Sequence, residues 1–326
     1  MYKSLIICLS LLCLADSAKA DDHLLYFEAQ GIAGYSSELN KPIYYSMNPD
    51  AEMQKPSLGF DYIKRFSGEL GDWATLAVQG RLALTVNEDN YKLEPQIYNA
   101  YFKVKTPLAY AWVGHNRTAF GLSSYFDSHG LLLRTLAIQG FGYDRDWGVG
   151  LYKDFSWGDI SASATTGSGM PVYLKGNYMT AARVSYGVLS QDNINVGFSL
   201  GYGNTLDTMG YKLRDPEPLR LALAAVDLTF LRNNLEHRFD LLAGKWLGND
   251  TYAFFYRFGV NLDQEGRVKI EAQPTFWKSG EEKNYQMSLC FSVLATSNLT
   301  VRTAYTYDHN ARDNRVILQL YYYRPI

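Results

Sequence analysis

Tyr252-Ala253-Phe254-Phe255-Tyr256-Arg257-Phe258-Gly259-Val260-Asn261 is the stretch whose reading decides the fold of this chain. In an extended strand successive side chains alternate between two faces. Tyr252, Phe254, Tyr256, Phe258 and Val260 therefore share one side, against Ala253, Phe255, Arg257, Gly259 and Asn261 on the other. A second stretch repeats the design, with Tyr285, Met287, Leu289, Phe291 and Val293 opposing Asn284, Gln286, Ser288, Cys290 and Ser292. A third places Val316, Leu318, Leu320 and Tyr322 in phase and runs into the C-terminus. In a membrane barrel the apolar set faces lipid and the other set faces a wet lumen. Reversing the second stretch would put five polar side chains in hydrocarbon. A closed barrel is also the one sheet that leaves no backbone donor or acceptor unpaired there.

Working outward, sixteen segments are long enough to cross a bilayer at a tilt, for which about 9–11 residues suffice. They are 23–33, 56–66, 72–86, 94–105, 109–118, 147–155, 157–166, 174–188, 193–203, 218–231, 235–247, 251–262, 267–277, 284–295, 298–308 and 314–323. Counts of 14 or 18 strands stand as alternatives, because boundaries drawn from one sequence drift by about two to four residues. The connections alternate in length. The even-numbered ones are tight, at 67–71, 106–108, 156, 189–192, 232–234, 263–266 and 296–297, and the odd-numbered ones include the long 34–55, 119–146, 167–173 and 204–217. Short periplasmic turns and long extracellular loops produce this rhythm. The expected fold is an all-β, antiparallel transmembrane barrel of about 16 strands with an inward-folded third extracellular loop.

Composition agrees. The 26 Tyr, 16 Phe and 6 Trp supply amphipathic rings for the membrane interfaces. Mean hydropathy is −0.21, and no apolar run beyond the first twenty residues approaches the roughly 18 needed by a spanning helix, which excludes a helical inner-membrane protein. Residues 1–20 have the layout of a secretory signal: Lys3, an apolar run over 5–15, then Ala18-Lys19-Ala20. Residues 21–326 then form one barrel in the cell outer membrane. Cys8 and Cys13 would leave with the signal, and Cys290 alone makes no internal disulfide. A net charge of −2 without a basic face excludes nucleic acid as a partner.

The face assignment puts Arg81, Lys103, Arg183, Arg238, Arg257, Arg267, Lys269, Arg302 and Arg315 in the bore, against fewer acids, Glu236, Asp240, Glu271 and Asp308. Rings of one sign set ion selectivity, so weak anion preference is one consequence. The other is that these charges merely pair across strands, as Arg238 with Asp240 or Lys269 with Glu271. The connection 119–146 carries Asp127, His129, Arg134, Asp144 and Arg145 around Leu131, Leu132 and Leu133. A loop of that length is usually functional, and with its own apolar patch it folds back to narrow the barrel, or else lies outside as a flap. Arg117, at the approach to this loop, joins Arg134 as a pore-lining candidate. Five histidines show no paired spacing, so no catalytic, metal or cofactor site is expected, and His115 reads as a polar side chain at a wet rim.

Tyr98-Asn99-Ala100-Tyr101-Phe102, followed by Val113-Gly114-His115-Asn116-Arg117-Thr118-Ala119-Phe120-Gly121, resembles a strand pair of the phosphate-selective porin O and P family. Arg145-Asp146-Trp147-Gly148-Val149-Gly150-Leu151 and Ala225-Val226-Asp227-Leu228-Thr229 are similar to two further strands of that family. The resemblance covers about a third of the chain and implies a sixteen-stranded homotrimer with inward-folded loops. The chain departs from the pattern at Ala119, where the family has Pro, at Ile326, where it ends in Phe, and in lacking a dense basic ladder in its loops. The expected activity is passive diffusion of small hydrophilic solutes or ions across outer-membrane lipid. The alternative is a structural or receptor barrel that captures another protein through residues 34–55.

Overall fold

The computed structural model describes residues 23–46, 54–69, 71–87, 90–127 and 129–326. The expected signal segment, 1–20, lies outside the described residues, as does part of the expected contact surface, 47–53. Seventeen strands follow in chain order: β1 (His23–Ser36), β2 (Lys41–Ile43), β3 (Ser57–Gly68), β4 (Gly71–Asn87), β5 (Asn90–Lys105), β6 (Tyr110–Arg117), β7 (Arg145–Phe155), β8 (Gly158–Thr165), β9 (Tyr178–Tyr186), β10 (Ile194–Met209), β11 (Lys212–Arg232), β12 (Leu235–Trp246), β13 (Asn249–Asn261), β14 (Val268–Ser279), β15 (Glu282–Thr296), β16 (Leu299–Asp308) and β17 (Asp313–Pro325). β2 is a three-residue piece of the first extracellular loop, folded back on β1. The other sixteen pair antiparallel with their neighbours, and β1 closes the barrel on β17 from Tyr26↔Pro325 to Ser36↔Arg315. Sixteen is thus the strand number, and both barrel ends meet on the periplasmic side.

The alternation that suggested the fold orders its two faces. Along β13 the residues from Thr251 to Gly259 alternate between buried and more accessible. Ala253, Phe255 and Arg257 point inward, and Tyr252, Phe254, Tyr256 and Phe258 outward. On β15, Tyr285, Met287, Leu289 and Phe291 are exposed on the outside. The ladder between β13 and β14 skips the level of Pro274, between Phe255↔Thr275 and Phe258↔Ala272, as expected where a residue has no N–H to give.

Turn chemistry holds the strands in register. Between β12 and β13, Leu247 (φ 48°) and Gly248 (φ 77°) both adopt left-handed backbone, the geometry of a type I′ hairpin. A leucine there is strained by about 1–3 kcal/mol. Its packing against the apolar cluster inside the barrel offsets that cost.

One connection differs from the sequence reading. Residues 204–217 do not form a long loop, because β10 and β11 continue as a ladder to Met209↔Lys212, leaving Gly210 and Tyr211 as the turn. Two register shifts near Thr205 and Asp207 mark its bend, as bulges do. The Tyr211 hydroxyl donates to the Ile97 carbonyl of β5 at 2.7 Å, so this hairpin reaches across the extracellular mouth.

Candidate functional site

The connection from β6 to β7 crosses the interior, and the reason is visible on both sides of the contact. Phe120, Leu122, Leu136, Phe141 and Tyr143 of the loop bury against inward-facing Leu221, Leu223, Leu242, Trp246 and Phe255. Leu132 and Leu133 bury against Ile32, Ile43, Ala304 and Ile317. Each such side chain contributes roughly 1.5–3 kcal/mol when fully buried. A water-filled bore has no use for apolar residues on its inner wall; a bore with a folded loop inside it does. The sequence reading overlooked this second apolar face, although Leu221-Ala222-Leu223-Ala224-Ala225-Val226 in β11 shows it as an uninterrupted run, the mark of a strand covered on both sides.

Polar contacts hold the loop to the wall in many directions. Gly121 N donates to Ser199 Oγ on β10 (3.0 Å), and the Tyr125 and Thr229 hydroxyls, the latter on β11, lie 2.8 Å apart. The Arg134 carbonyl accepts from Gln273 on β14 (2.9 Å), and Gln139 donates to Gln286 on β15 (3.1 Å). Arg302 on β16 donates to the Gly130 carbonyl (2.9 Å), and His129 Nε2 lies 2.9 Å from Glu28 Oε2 on β1.

A charge cluster sits at the base of the loop. Asp127 accepts from Arg117 at 2.7 Å and lies 3.5 Å from Arg145, which also pairs with Asp144. The Arg145 guanidinium stacks 3.6 Å from the centroid of the Tyr98 ring, whose hydroxyl donates to Asp144 (3.1 Å). Burial raises the pKa of Asp127, but Arg117 and Arg145 outweigh it and hold this carboxyl well below the usual carboxylate range. A depressed folded-state pKa gives stability that is complete above the unfolded value, about 3.9, and is lost as pH falls through the folded one. Unfolding stability is accordingly expected to stay level from neutral pH down to about pH 4. A sharp loss already between pH 6 and pH 5 would show that this ion pair is not what the loop's anchorage depends on.

A cavity of about 690 Å³ lies between the first half of the loop and the wall formed by β3 to β9 and β17. A smaller space of about 50 Å³ opens on the other side, against Tyr143, Thr208 and Met209. Arg145 lines both and stands between them.

The sequence-predicted residues divide by position. Lys103 and Arg117 line the cavity; so does Arg183, bound to Asp227 at 2.7 Å and Asp159 at 3.3 Å. Arg81 is buried beside Gln96 (2.9 Å) and Glu28 (4.0 Å). Arg238 pairs with Glu236, not Asp240, and packs over the Phe126 ring. Arg257 is buried on Gln273 (2.7 Å), and Lys269 bridges Glu236 and Glu271, each at 3.0 Å. Arg302 meets Gln319 (3.0 Å), Arg315 pairs with Asp313, and Arg134 is buried within the loop. Arg267 is not on the wall: it precedes β14 in a periplasmic turn, largely exposed and paired with Glu265 at 2.7 Å. The apparent excess of bore cations disappears with it, because Glu28, Asp61, Asp159 and Asp227 also face inward, acids the sequence reading did not count. His115 also differs from expectation. It is fully buried, its ring 4.9 Å from that of Trp147, because the segment after β8 covers the end of β6.

No family model matches the chain, and no curated protein matches it. Solved structures match in fold. OmpF of Salmonella typhi, in a complex with daunomycin, superposes with a TM-score of 0.65 at 13% identity, over 93% of this chain and 97% of that one. An anion-selective porin of Comamonas acidovorans gives 0.63 at 9% identity, over 93% and 99%. A loop-deletion variant of OmpT, an outer membrane protein of Vibrio cholerae, gives 0.63 at 14% identity, over 93% and 100%. This chain therefore has the fold of the outer-membrane porins.

Proposed function

We propose that the protein is a non-enzymatic outer-membrane channel for passive diffusion of small hydrophilic solutes, with the route running along the cavity and past Arg145. The observation that carries this reading is the 690 Å³ space inside a closed barrel, lined by charged, amide and hydroxyl side chains interspersed with apolar residues such as Ala119 and Trp112. Barrels of sixteen strands are wide enough to leave an aqueous channel. Assembly as a trimer in outer-membrane lipid, after removal of residues 1–20, belongs to the same proposal.

Neither anion preference nor phosphate selectivity follows. Of the cations lining the cavity, Arg117 and Arg145 are engaged by Asp127 and Arg183 by Asp227 and Asp159, while Lys103 sits over the Tyr110 ring. A field assembled from such pairs is short-ranged. In planar bilayers stepwise channels are expected, with a reversal potential close to zero across a KCl gradient. A potential near the chloride or potassium limit would contradict the self-neutralised bore.

The loop's anchoring to so many strands favours a second reading, a sealed barrel that serves as a receptor or structural element. Folded protein that inserts without any conductance would establish that reading over the first.

A further inference from the structure

The wall of the large cavity carries more specific chemistry than a diffusion path requires. Asp61, Gln79 and Asn99 lie side by side on β3, β4 and β5. Asp61 accepts from the Tyr323 hydroxyl at 2.9 Å and makes no ion pair among the described residues. Asn116 lines the same space. Such groups are planar and can bind neighbouring hydroxyls in pairs.

Rings complete the lining. Tyr26 and Tyr323 stack at 4.7 Å and 11°, and Tyr321 continues the ladder at 6.3 Å and 8° along β17 toward the loop. Across the cavity stand Tyr101 and Trp112. The indole of Trp112 occupies the space that a Cβ on Gly150 would fill, so a side chain at that position on β7 would displace it. The arginines have acids of their own, as above, which leaves Asp61 and Lys103 as lining charges outside those pairs, one of each sign. Hydroxyl, amide and carboxylate groups facing aromatic rings, with little net field, suit a solute that is uncharged, rich in hydroxyls and bounded by C–H faces.

We propose that this cavity is a binding site for an uncharged oligosaccharide, held through its hydroxyls by Asp61 and Asn116 and through its C–H faces by Trp112, Tyr321 and Tyr323. A volume of 690 Å³ falls within the range of about 300–1,000 Å³ that encloses small ligands. The site depends on the channel reading only for how the sugar reaches it.

Isothermal titration of the full chain, folded in detergent, with maltotriose and with cellotriose tests the site directly. Saturable binding of at least one sugar is expected. Asp61→Ala and Tyr321→Ala should each weaken it about tenfold, the scale of losing charge-assisted hydrogen bonds or a buried ring contact. Lys245→Gln, outside the cavity, should bind as the parent does. Mobility of unheated samples on gels checks that each variant is folded, and Asp61→Asn takes the place of an Ala variant that is not. Absence of saturable binding by folded parent protein, or parent-like affinity in folded Asp61 and Tyr321 variants, overturns the proposal. Current recordings with the same sugars separate the two readings. A channel that conducts but binds neither sugar refutes the site and leaves the channel. A chain that binds sugar and never conducts refutes the channel and leaves the site.

Discussion

Asp227→Ala is expected to destabilise the barrel by about 3–5 kcal/mol, since it leaves a buried guanidinium without its main counter-ion. Arg183 Nε and Nη2 donate to the two oxygens of Asp227 at 3.0 and 2.7 Å, and Nη2 also donates to Asn195 at 2.6 Å. Both charged side chains are almost wholly enclosed. Gly197 sits against the pair, where any Cβ would overlap the guanidinium, so the site has no room to rearrange. Asp159, at 3.3 Å on the cavity side, recovers part of the loss and places the expectation at the lower end of that range. Reversible urea unfolding in detergent or lipid measures it. The double variant Arg183→Met with Asp227→Leu should recover most of the stability, because replacing both members of a buried pair by apolar groups is often near neutral. A loss below about 1 kcal/mol for Asp227→Ala would mean that water reaches the guanidinium and that the pair is worth no more than a surface one.

Replacing residues 120–142 with a short Gly/Ser linker is expected to raise single-channel conductance severalfold. The loop packs inside the bore, and the sixteen-strand ladder closes through β1 and β17 without it. The variant should still fold, but less stably, since inward-facing Leu221, Leu223 and Phe255 lose their cover at roughly 1.5–3 kcal/mol for each side chain exposed. Conductance equal to that of the parent would place the limiting constriction elsewhere, with the β10–β11 hairpin that reaches Ile97 as the next element to remove.

The sequence alone determined the barrel. Period-two alternation in segments such as β13 and β15 has one low-energy solution in a membrane, and the tight turns at Asn233 and Leu247-Gly248 join strands only as antiparallel neighbours. It also marked the connection after β6 as a loop able to fold back into the barrel, through its length and its leucines. Only the tertiary structure decided which acid each basic side chain in the bore meets, because contacts such as Arg183 with Asp227 and His129 with Glu28 join residues 44 and 101 positions apart. It likewise decided that Arg267 lies in a turn, that His115 is covered, and that 204–217 is a hairpin instead of a loop. Alternation tells which side of the wall a side chain takes. It carries no information about what folds against that side, and the charge balance of the bore rests on that.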